Sequence, residues 1–253
     1  MSTPLAPGSL AGKRALVTGS SRGVGAATAR HLAAAGATVA VNYRAKAPRA
    51  EKVVADIEAA GGVAFAIGAD LTAPDSLAAL AESVRERLGG LDIVVLNASG
   101  GMEPGMGEDY AMRLNRDAQL GVLAALRPLM PSGSRVVFVT SHQAHFIRTT
   151  PTMPEYEPVA LSKRAGEDAL RALIPELDAA GIGLVVVSGD MIEGTITATL
   201  LERANPGAIA SRRESAGRLY NVEEFAAEVA LAAVQPIPED HTRYVGDVSS
   251  FVR

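Results

Sequence analysis

A glycine-rich stretch near the start of the chain, TGSSRGVG at positions 18–25, has residue types and spacing that suit phosphate binding. Gly19, Gly23 and Gly25 follow the strand-like run RALVT and precede an alanine-rich, helix-like run. Glycine lets the backbone turn tightly and approach a pyrophosphate, whose charge is met by amide hydrogens and by the positive end of the helix. The stretch therefore predicts a dinucleotide phosphate loop, although the spacing alone also fits an ordinary turn between a strand and a helix.

The second strand-like run, TVAVNY, ends at Asn42 and Tyr43 and is followed by Arg44. A site specific for NAD is expected to place a carboxylate here, against the ribose hydroxyls, and this stretch contains no acid. Arg22 and Arg44 instead offer guanidinium groups that suit a 2′-phosphate. We therefore predict NADP(H) in preference to NAD(H). The alternative is that both arginines are solvated surface residues.

Candidate groups for proton transfer lie in SHQAHF, at positions 141–146. His142 and His145 have a reference pKa of about 6.5, which suits proton transfer near neutral pH. The alternative is that each is a pocket or surface residue. Four glutamates lie near predicted strand ends: Glu103, Glu155, Glu157 and Glu193. They would act as general acids or bases only if burial raised the pKa of one of them. The alternative is that they are solvated loop residues.

Strand-like and helix-like segments alternate along the chain. The apolar runs are RALVT, TVAVNY, VAFAI, LDIVVL, RVVFVT and LVVVS, and RYVG at 243–246 is a seventh. Strands that are apolar throughout are buried on both faces, as in a parallel sheet with helices on each side. The pattern predicts an α/β fold with a doubly wound parallel sheet of about seven strands, as a single domain over residues 1–253.

Separate predictions follow for several segments between the strands. Residues 72–89 are predicted to form a helix with apolar residues on one face, Leu77, Leu80, Val84 and Leu88. Residues 190–217 are rich in Gly, Thr, Arg and Ser and follow a strand end, which is typical of a mobile substrate lid. A substrate pocket is predicted to be shaped by the methionines of GGMEPGM and by a threonine pair: Met102, Met106, Thr149 and Thr150.

Composition excludes several classes of function. The 253 residues include no cysteine, which rules out disulfides, thiolate metal sites and cysteine nucleophiles. The net charge is −4 and there is no basic run, so neither nucleic acid nor an anionic membrane is an expected partner. No metal-binding cluster is evident. The start of the chain lacks a signal-peptide pattern and no apolar run reaches about 18 residues, so we expect a cytoplasmic, soluble protein that acts on a small molecule.

Several motifs together resemble the short-chain dehydrogenase/reductase family over nearly the whole chain. TGSSRGVG is similar to the family's TGxxxGxG loop, and LNASG at 96–100 is similar to its NNAG motif. Ser141 and Lys163 stand where the family has its catalytic serine and lysine, and Asn115 in RLNRD resembles its helix asparagine, which orders a water. Asp70 in GADLT looks like the residue that faces the adenine. The resemblance implies a Rossmann-type fold, a nicotinamide cofactor and interconversion of a ketone and an alcohol.

The resemblance also implies roles for particular residues. In the family the serine binds the substrate carbonyl, a tyrosine donates the proton, and the lysine holds the nicotinamide ribose and lowers the pKa of the tyrosine. The catalytic residues implied here are Ser141, Lys163, Asn115 and Tyr156. The cofactor contacts implied here are Gly19, Ser21, Arg22, Gly23, Val24, Gly25, Asn42, Tyr43, Arg44, Asp70, Leu71, Asn97, Ala98, Ser99, Lys163 and Gly189.

The tyrosine departs from the family pattern. The family places it four residues before the lysine, a position that Val159 holds here, whereas Tyr156 is seven residues before Lys163. On an ideal helix seven residues return to nearly the same face, offset by about 20° and by about 10.5 Å along the axis. Because Pro158 fits best in a first helical turn, we expect Tyr156 on the loop entering the helix. It is either a surrogate acid or a residue that lines the pocket; a histidine, a water or a substrate hydroxyl are the other candidate donors.

Two functional hypotheses follow. The first is an NADP(H)-dependent oxidoreductase that reduces a carbonyl or oxidises an alcohol with an atypical proton donor. The second is a non-catalytic NADP(H)-binding sensor or scaffold on the same fold, suggested by Val159 and by Ser188–Gly189, which replaces a Pro-Gly pair of the family. The resemblance further implies a homodimer or homotetramer.

Overall fold

A computed structural model of the chain describes residues 4–102, 105, 107 and 109–252. In this part of the chain seven strands form one sheet in the order β3-β2-β1-β4-β5-β6-β7, and every neighbouring pair is parallel. The strands are β1 (Arg14–Val17), β2 (Thr38–Tyr43), β3 (Val63–Gly68), β4 (Ile93–Leu96), β5 (Arg135–Ser141), β6 (Gly183–Gly189) and β7 (Thr242–Val245). The predicted seven-stranded parallel sheet is confirmed.

Helices join the strands and cover both faces of the sheet. They are α1 (Gly23–Ala34), α2 (Ala47–Ala59), α3 (Pro74–Leu88), α4 (Tyr110–Met112), α5 (Ala118–Leu126), α6 (His142–His145), α7 (Glu157–Ala172), α8 (Ile174–Ala179), α9 (Ile196–Ala204), α10 (Ala208–Ala216) and α11 (Val222–Ala232). A π-helical turn at Arg113–Asp117 joins α4 to α5, and a 3-10 turn at Arg127–Leu129 follows α5. None of these helices is both long and apolar enough to cross a lipid bilayer.

Two apolar layers explain why the strands are apolar throughout. Successive side chains of a strand point to opposite faces of the sheet. Val17 of β1 therefore packs in one layer with Leu32 of α1, while its neighbour Leu16 packs in the other layer with Leu80 of α3 and Leu123 of α5. The sheet is thus doubly wound, as predicted, and the chain forms a single α/β domain with a Rossmann fold.

Helix α3 confirms the prediction made for residues 72–89. It begins at Pro74, a residue that suits a first helical turn because it has no amide hydrogen to leave unpaired. Leu80 and Val84 are buried, with Leu77 packed beside them. The helix ends at Gly89, whose φ of 70° is the left-handed conformation that favours glycine.

The strand order places a crevice at one edge of the sheet. The chain goes from β1 to β2 and β3 on one side, then returns to β4, β5, β6 and β7 on the other. In open parallel sheets, ligands bind outside the carboxyl ends of the strands at this reversal. The glycine-rich turn after β1 and Ser141 at the end of β5 both lie on this edge.

Residues 190–217 follow β6 and carry α9 and α10. They contribute to a third apolar cluster in which Met191, Ala198 and Leu201 pack with Tyr156 and Val159. The segment predicted as a lid is therefore mostly helical, and its apolar side chains pack against the helix that begins after Tyr156.

Candidate active site

The turn after β1 has the tight geometry that phosphate binding requires. Gly19 has a φ of 60°, and a Cβ at this position would lie 3.0 Å from Cα of Ala98. A Cβ at Gly25 would meet Nδ2 of Asn97 at 2.5 Å and the carbonyl oxygen of Gly19 at 2.8 Å. Glycine is needed here because the first turn of α1 packs directly against the loop.

Hydrogen bonds from β4 brace this loop. The hydroxyl of Thr18 accepts from the backbone amides of Asn97, at 2.9 Å, and Ala98, at 3.0 Å. The Asn97 side chain donates to the Thr18 carbonyl oxygen at 2.9 Å, and the Gly19 amide donates to Oδ1 of Asn42 at 3.1 Å. Three neighbouring strands therefore hold the loop in place. Thr18 was not among the predicted residues, although it begins the TGSSRGVG motif.

A cleft of about 590 Å³ runs along this edge of the sheet. The predicted cofactor residues that line it are Gly19, Ser21, Arg22, Gly23, Val24, Asn42, Tyr43, Arg44, Asp70, Leu71, Asn97, Ala98 and Ser99. Of the other three, Gly25 packs beneath the loop, Gly189 packs against the ring of Phe225, and Lys163 lines an adjoining pocket. The cleft has the position expected for a dinucleotide.

Several cationic side chains line the cleft. Arg22 and Arg44 are exposed and line it, together with Lys46 and Arg49. The guanidinium of Arg44 donates to the hydroxyl of Tyr110 and lies 5.7 Å from the centre of its ring. Sequence reasoning missed Lys46 and Arg49, although the signal was present in RAKAPR immediately after β2.

Asp70 lies in the wall of the cleft, just after β3. Its Oδ1 accepts from the amide of Thr72 at 2.9 Å and from the hydroxyl of Thr72 at 2.7 Å. Partial burial acts to raise the pKa of this carboxyl, but the two hydrogen bonds, together with the positive charges of Arg44 and Arg113, outweigh it and the pKa is lowered. Asp70 is therefore an anion that shapes the turn entering α3.

The hydroxyls of Ser141 and Tyr156 meet at the end of β5. Their oxygens are 3.0 Å apart, and either hydroxyl can donate. The Ser141 oxygen also accepts from the amide of Ala144 at 3.2 Å, which fixes the side chain as the N-cap of α6. Burial raises the pKa of the Tyr156 phenol, and the bond to Ser141 only partly offsets it. Tyr156 is thus a neutral phenol aimed at Ser141.

Tyr156 stands at the N-cap of α7, as predicted, with Pro158 in the first helical turn. Its amide donates to the carbonyl oxygen of Met153 at 2.9 Å, so the chain turns just before the helix. Tyr156 is 4% exposed. Val159, also 4% exposed, belongs to the same apolar cluster. Glu157 is helical, although a residue directly before a proline favours extended backbone angles.

Lys163 completes this group. It is partly buried and lines the same pocket as Ser141 and Tyr156. Burial lowers its pKa to about 8, against the opposing effect of the negative charge of Glu167 one helical turn later. Glu167 is fully buried, and its carboxylate accepts from Nε of Arg171 at 2.8 Å.

Asn115 lies in the π-helical turn and is buried. Its Nδ2 donates to the Gly100 carbonyl oxygen at 2.8 Å and to the Ser162 hydroxyl at 2.9 Å, and its Oδ1 accepts from the Gly100 amide at 3.2 Å. A Cβ on Gly166 would lie 2.1 Å from the Asn115 carbonyl oxygen. Asn115 therefore joins the loop after β4 to α7, next to Lys163.

A pocket of about 160 Å³ contains the Ser141, Tyr156 and Lys163 side chains. Its remaining walls come from the ends of the strands and from the segment after β6, namely Val24, Asn97, Ser99, Val139, Thr140, Gln143, Asp190, Met191, Ile192, Thr195, Thr197, Ala198, Leu201 and Phe225. It shares Val24, Asn97, Ser99, Thr195 and Thr197 with the large cleft. A substrate in this pocket would thus lie beside a dinucleotide in the cleft.

The two candidate histidines form hydrogen bonds with residues other than Ser141 and Tyr156. Nδ1 of His142 is 2.8 Å from the Ser188 hydroxyl, and burial lowers the pKa of His142 to about 4. Nδ1 of His145 is 2.8 Å from the Glu167 carboxylate, and its Nε2 is 3.2 Å from the Tyr244 hydroxyl. Neither ring is among the groups that line the pocket.

The remaining candidates lie at the surface or elsewhere. Glu155 accepts from Nδ2 of Asn205 at 3.0 Å, Glu193 pairs with Arg213, and Glu157 is exposed. Met102 packs against the third apolar cluster, whereas Thr149 and Thr150 bond to backbone oxygens outside the pocket. Two candidates, Glu103 and Met106, lie outside the described residues.

Comparison with known proteins identifies the family. A sequence model of the short chain dehydrogenases matches residues 13–205. The 1-cyclohexenylcarbonyl-CoA reductase of Streptomyces collinus is 37% identical over 186 residues, which are 70% of this chain and 64% of that protein, slightly less than two thirds of its length. The hydroxynaphthalene reductase arp2 of Aspergillus fumigatus is 33% identical over 254 residues, 96% of this chain and 86% of that protein.

Solved structures agree with these sequence relatives. The crystal structure of the angucycline C-6 ketoreductase LanV with bound NADP is 30% identical, covers 90% of this chain and 91% of that chain, and has a TM-score of 0.74. The region matched by the family contains the glycine loop and the Ser141, Tyr156 and Lys163 group. The chain is an oxidoreductase that belongs to the short-chain dehydrogenase family.

Proposed function

We propose that the protein is an NADP(H)-dependent carbonyl reductase in which Tyr156, three residues before the family position, donates the proton. The observation that carries this proposal is the 3.0 Å separation of the Tyr156 and Ser141 hydroxyl oxygens in a pocket that also contains Lys163. Two hydroxyls at this spacing can both bond to one carbonyl oxygen. Val159, in the position four before Lys163, has no group that exchanges a proton.

The chain's own residues divide the reaction as follows. The Ser141 hydroxyl donates to the substrate carbonyl oxygen and orients it. Tyr156 transfers its phenolic proton to that oxygen as negative charge develops there. Burial keeps the Tyr156 phenol protonated until then. The nicotinamide, when bound, supplies the hydride that reduces the carbonyl carbon.

The cleft suits a dinucleotide on structural grounds. A Cβ at Gly19 or Gly25 would crowd the loop or the residues after β4, so glycine keeps the turn tight enough for a pyrophosphate to approach the N-terminus of α1. Lys163 can hold the nicotinamide ribose where the cleft and the pocket join, and Thr195 and Thr197 line both. For the other residues that line the cleft and were predicted to contact the cofactor, we propose the cofactor contacts that the resemblance implies.

The preference for NADP(H) is part of the proposal. Arg22, Arg44, Lys46 and Arg49 line the cleft, and exposed guanidinium groups can bind a 2′-phosphate through paired hydrogen bonds. Tyr110 supports this role because it orients the Arg44 guanidinium. The NADP in the LanV crystal structure is consistent with the choice.

The substrate is proposed to be a small ketone, held under a lid formed by residues 190–217. Apolar side chains of α9, Ala198 and Leu201, line the same pocket as Ser141. The named relatives act on ring compounds by their names, a cyclohexenylcarbonyl-CoA, a hydroxynaphthalene and an angucycline, and LanV is named as a ketoreductase. A cyclic ketone is therefore the first substrate class to test.

The proposal is tested with NADPH and a panel of cyclic and open-chain ketones, following NADPH absorbance, while NADPH affinity is measured by fluorescence. Turnover of at least one ketone, with NADPH bound more tightly than NADH, is the expected result. Tight NADPH binding without any turnover would instead support the sensor or scaffold hypothesis. Failure to bind either cofactor would contradict both hypotheses.

A further inference from the structure

Asp190, the residue directly after β6, is a buried acid in the wall of the pocket. It is 4% exposed and lines the pocket together with the next two residues, Met191 and Ile192. Its Oδ1 accepts from the amide of Met191 at 2.7 Å. An ionised carboxylate that has lost its water needs a cation or several hydrogen-bond donors.

The cation comes from the lid. Nε of Arg212, on α10, lies 2.9 Å from both carboxylate oxygens of Asp190, and one of its terminal nitrogens lies 2.8 Å from Oδ2. The two side chains are 14% and 2% exposed, respectively. This fork-like arrangement is one that arginine makes and lysine does not. The contact therefore joins the lid to the end of β6 through a shielded ion pair.

Arg212 also binds the C-terminal segment, residues 247–251. Nη1 donates to the Ser250 hydroxyl at 2.8 Å, and the guanidinium carbon lies 4.8 Å from the centre of the Phe251 ring. The carbonyl oxygen of Phe251 accepts from the hydroxyl of Thr150 at 3.2 Å. Thr150 lies in the segment that precedes Tyr156, the proposed acid. The C-terminal segment therefore contacts both the lid and the segment before Tyr156.

The position of α10 affects the roof of the pocket. Ile209 and Ala216 of α10 pack against the apolar cluster that contains Tyr156, Met191 and Leu201. Movement of α10 away from Asp190 would separate these side chains and open the pocket above Ser141.

We propose that Arg212 is a positioning residue for the substrate pocket: by binding Asp190 and the C-terminal segment together, it holds α9 and α10 closed over Ser141 and Tyr156. The pairing also masks the charge of Asp190, so that the pocket offers an uncharged carbonyl compound a neutral wall. The inference rests on the proposed function for its kinetic consequence, but the closure of the lid can be measured without turnover.

The next residue on the same helix provides a matched control. Arg213 pairs with Glu193, and its side chain is 53% exposed. An exposed ion pair contributes little to the position of a segment because water solvates both partners. Arg212→Met and Arg213→Met thus remove the same group from adjacent residues, one shielded and one solvated.

The experiment compares these variants by hydrogen–deuterium exchange of residues 196–216 in the NADPH-bound protein and by ketone kinetics. For Arg212→Met we expect about tenfold faster exchange and an increase of about tenfold in the ketone KM, because a shielded ion pair is broken. The kcat and the Kd for NADPH should each stay within about threefold, since neither depends on this contact directly. For Arg213→Met we expect values near those of the unaltered protein.

Two further variants separate positioning from general destabilisation. Arg212→Lys keeps the cation but not the fork, so its exchange and KM should fall between those of the unaltered protein and Arg212→Met. Ser250→Ala removes the hydroxyl bond to Arg212 but keeps the contact with the Phe251 ring, so it should raise the exchange rate by about twofold; it keeps the test decisive if Arg212→Met does not fold. Unchanged exchange in both Arg212→Lys and Ser250→Ala, or equal effects of Arg212→Met and Arg213→Met, would overturn the inference. If the protein turns over no ketone but its hydrogen–deuterium exchange responds as expected, the proposed function is refuted. The role of Arg212 in holding the lid then still stands.

Discussion

The hydroxyl of Tyr156 has two properties that a proton donor needs: it is 3.0 Å from the Ser141 oxygen, and burial keeps it protonated. Removing it as Tyr156→Phe should lower kcat by about 10² to 10⁴, the usual contribution of a general acid. The Kd for NADPH should change by no more than about twofold, because the hydroxyl bonds to Ser141 and the serine retains its bond from the Ala144 amide. Steady-state kinetics and a fluorescence titration measure both quantities.

Tyr220→Phe is the matched control, since Tyr220 is a partly exposed tyrosine whose ring contacts Arg218 outside the pocket. It should leave kcat unchanged. Full activity of Tyr156→Phe would show that another donor acts. Because His142 and His145 bond to Ser188 and Glu167, that donor would then be water or the substrate itself.

The charge of Lys163 should give the enzyme an alkaline limit. Burial lowers the pKa of Lys163 to about 8, so the ammonium is present below this pH and lost as pH rises through it. Since the ammonium is proposed to bind the ribose, kcat/KM for NADPH should decline above about pH 8, by about tenfold per pH unit at most, as this ratio reports groups of the free enzyme.

Lys163→Arg is the control for this pH profile, because a guanidinium stays protonated to above about pH 12. Its profile should lack the decline near pH 8 even if its activity is lower throughout. A flat profile of the unaltered protein up to pH 9.5, about 1.5 units above the lowered pKa, would contradict the proposed role of the ammonium.

At the level of elements, the turns after β1 and β2 decide which cofactor the cleft accepts. Arg44 follows β2 and is oriented by Tyr110, so Arg44→Ala should remove a charged hydrogen bond worth about 1.5 to 3 kcal/mol. The Kd for NADPH should rise by about 10- to 100-fold, whereas the Kd for NADH should change by no more than about twofold. Parallel titrations with the two cofactors measure the difference.

Arg30→Ala serves as the control for this titration, because Arg30 pairs with Asp56 of α2 at 2.8 Å rather than lining the cleft. It should bind both cofactors as the unaltered protein does. An equal loss of NADPH and NADH affinity in Arg44→Ala would place the arginine near the shared part of the dinucleotide and contradict the assignment to the 2′-phosphate.

At the scale of the whole molecule, the outer face of α7 bears on the oligomeric state. Leu161 of α7 is 49% exposed, and the resemblance implies contacts between copies through the helices that follow β4 and β5. We expect a homodimer or homotetramer by light scattering. Leu161→Glu should shift it to a smaller species, since a carboxylate would be buried without a partner.

Val63→Glu is the control, because Val63 is 58% exposed on β3, the edge strand at the far end of the sheet. This variant should keep the original mass. If the unaltered protein is a monomer, the prediction of an oligomer is wrong. If Leu161→Glu keeps the mass of the unaltered oligomer, the contact between copies does not lie on this face of α7.

Local patterns in the sequence determined the fold. The strands could be predicted because residues buried on both sides of a sheet must be apolar at successive positions, as in IVVL of β4 and LVVV of β6. Helix α3 was recognisable from its apolar spacing and from Gly89, whose backbone conformation favours glycine. The loop after β1 was recognisable because only glycine fits at positions such as Gly25.

The tertiary structure decided what the spacing of residues along the chain leaves open. An ideal helix places Tyr156 about one turn too far from the site, but the turn at Met153 brings its hydroxyl to Ser141. Asp190 and Arg212 are 22 residues apart, and their contact depends on how α10 folds back over the pocket. Periodicity reports which face of an element is buried, whereas the side chains that meet across elements depend on the path of the loops between them, and no local pattern encodes that path.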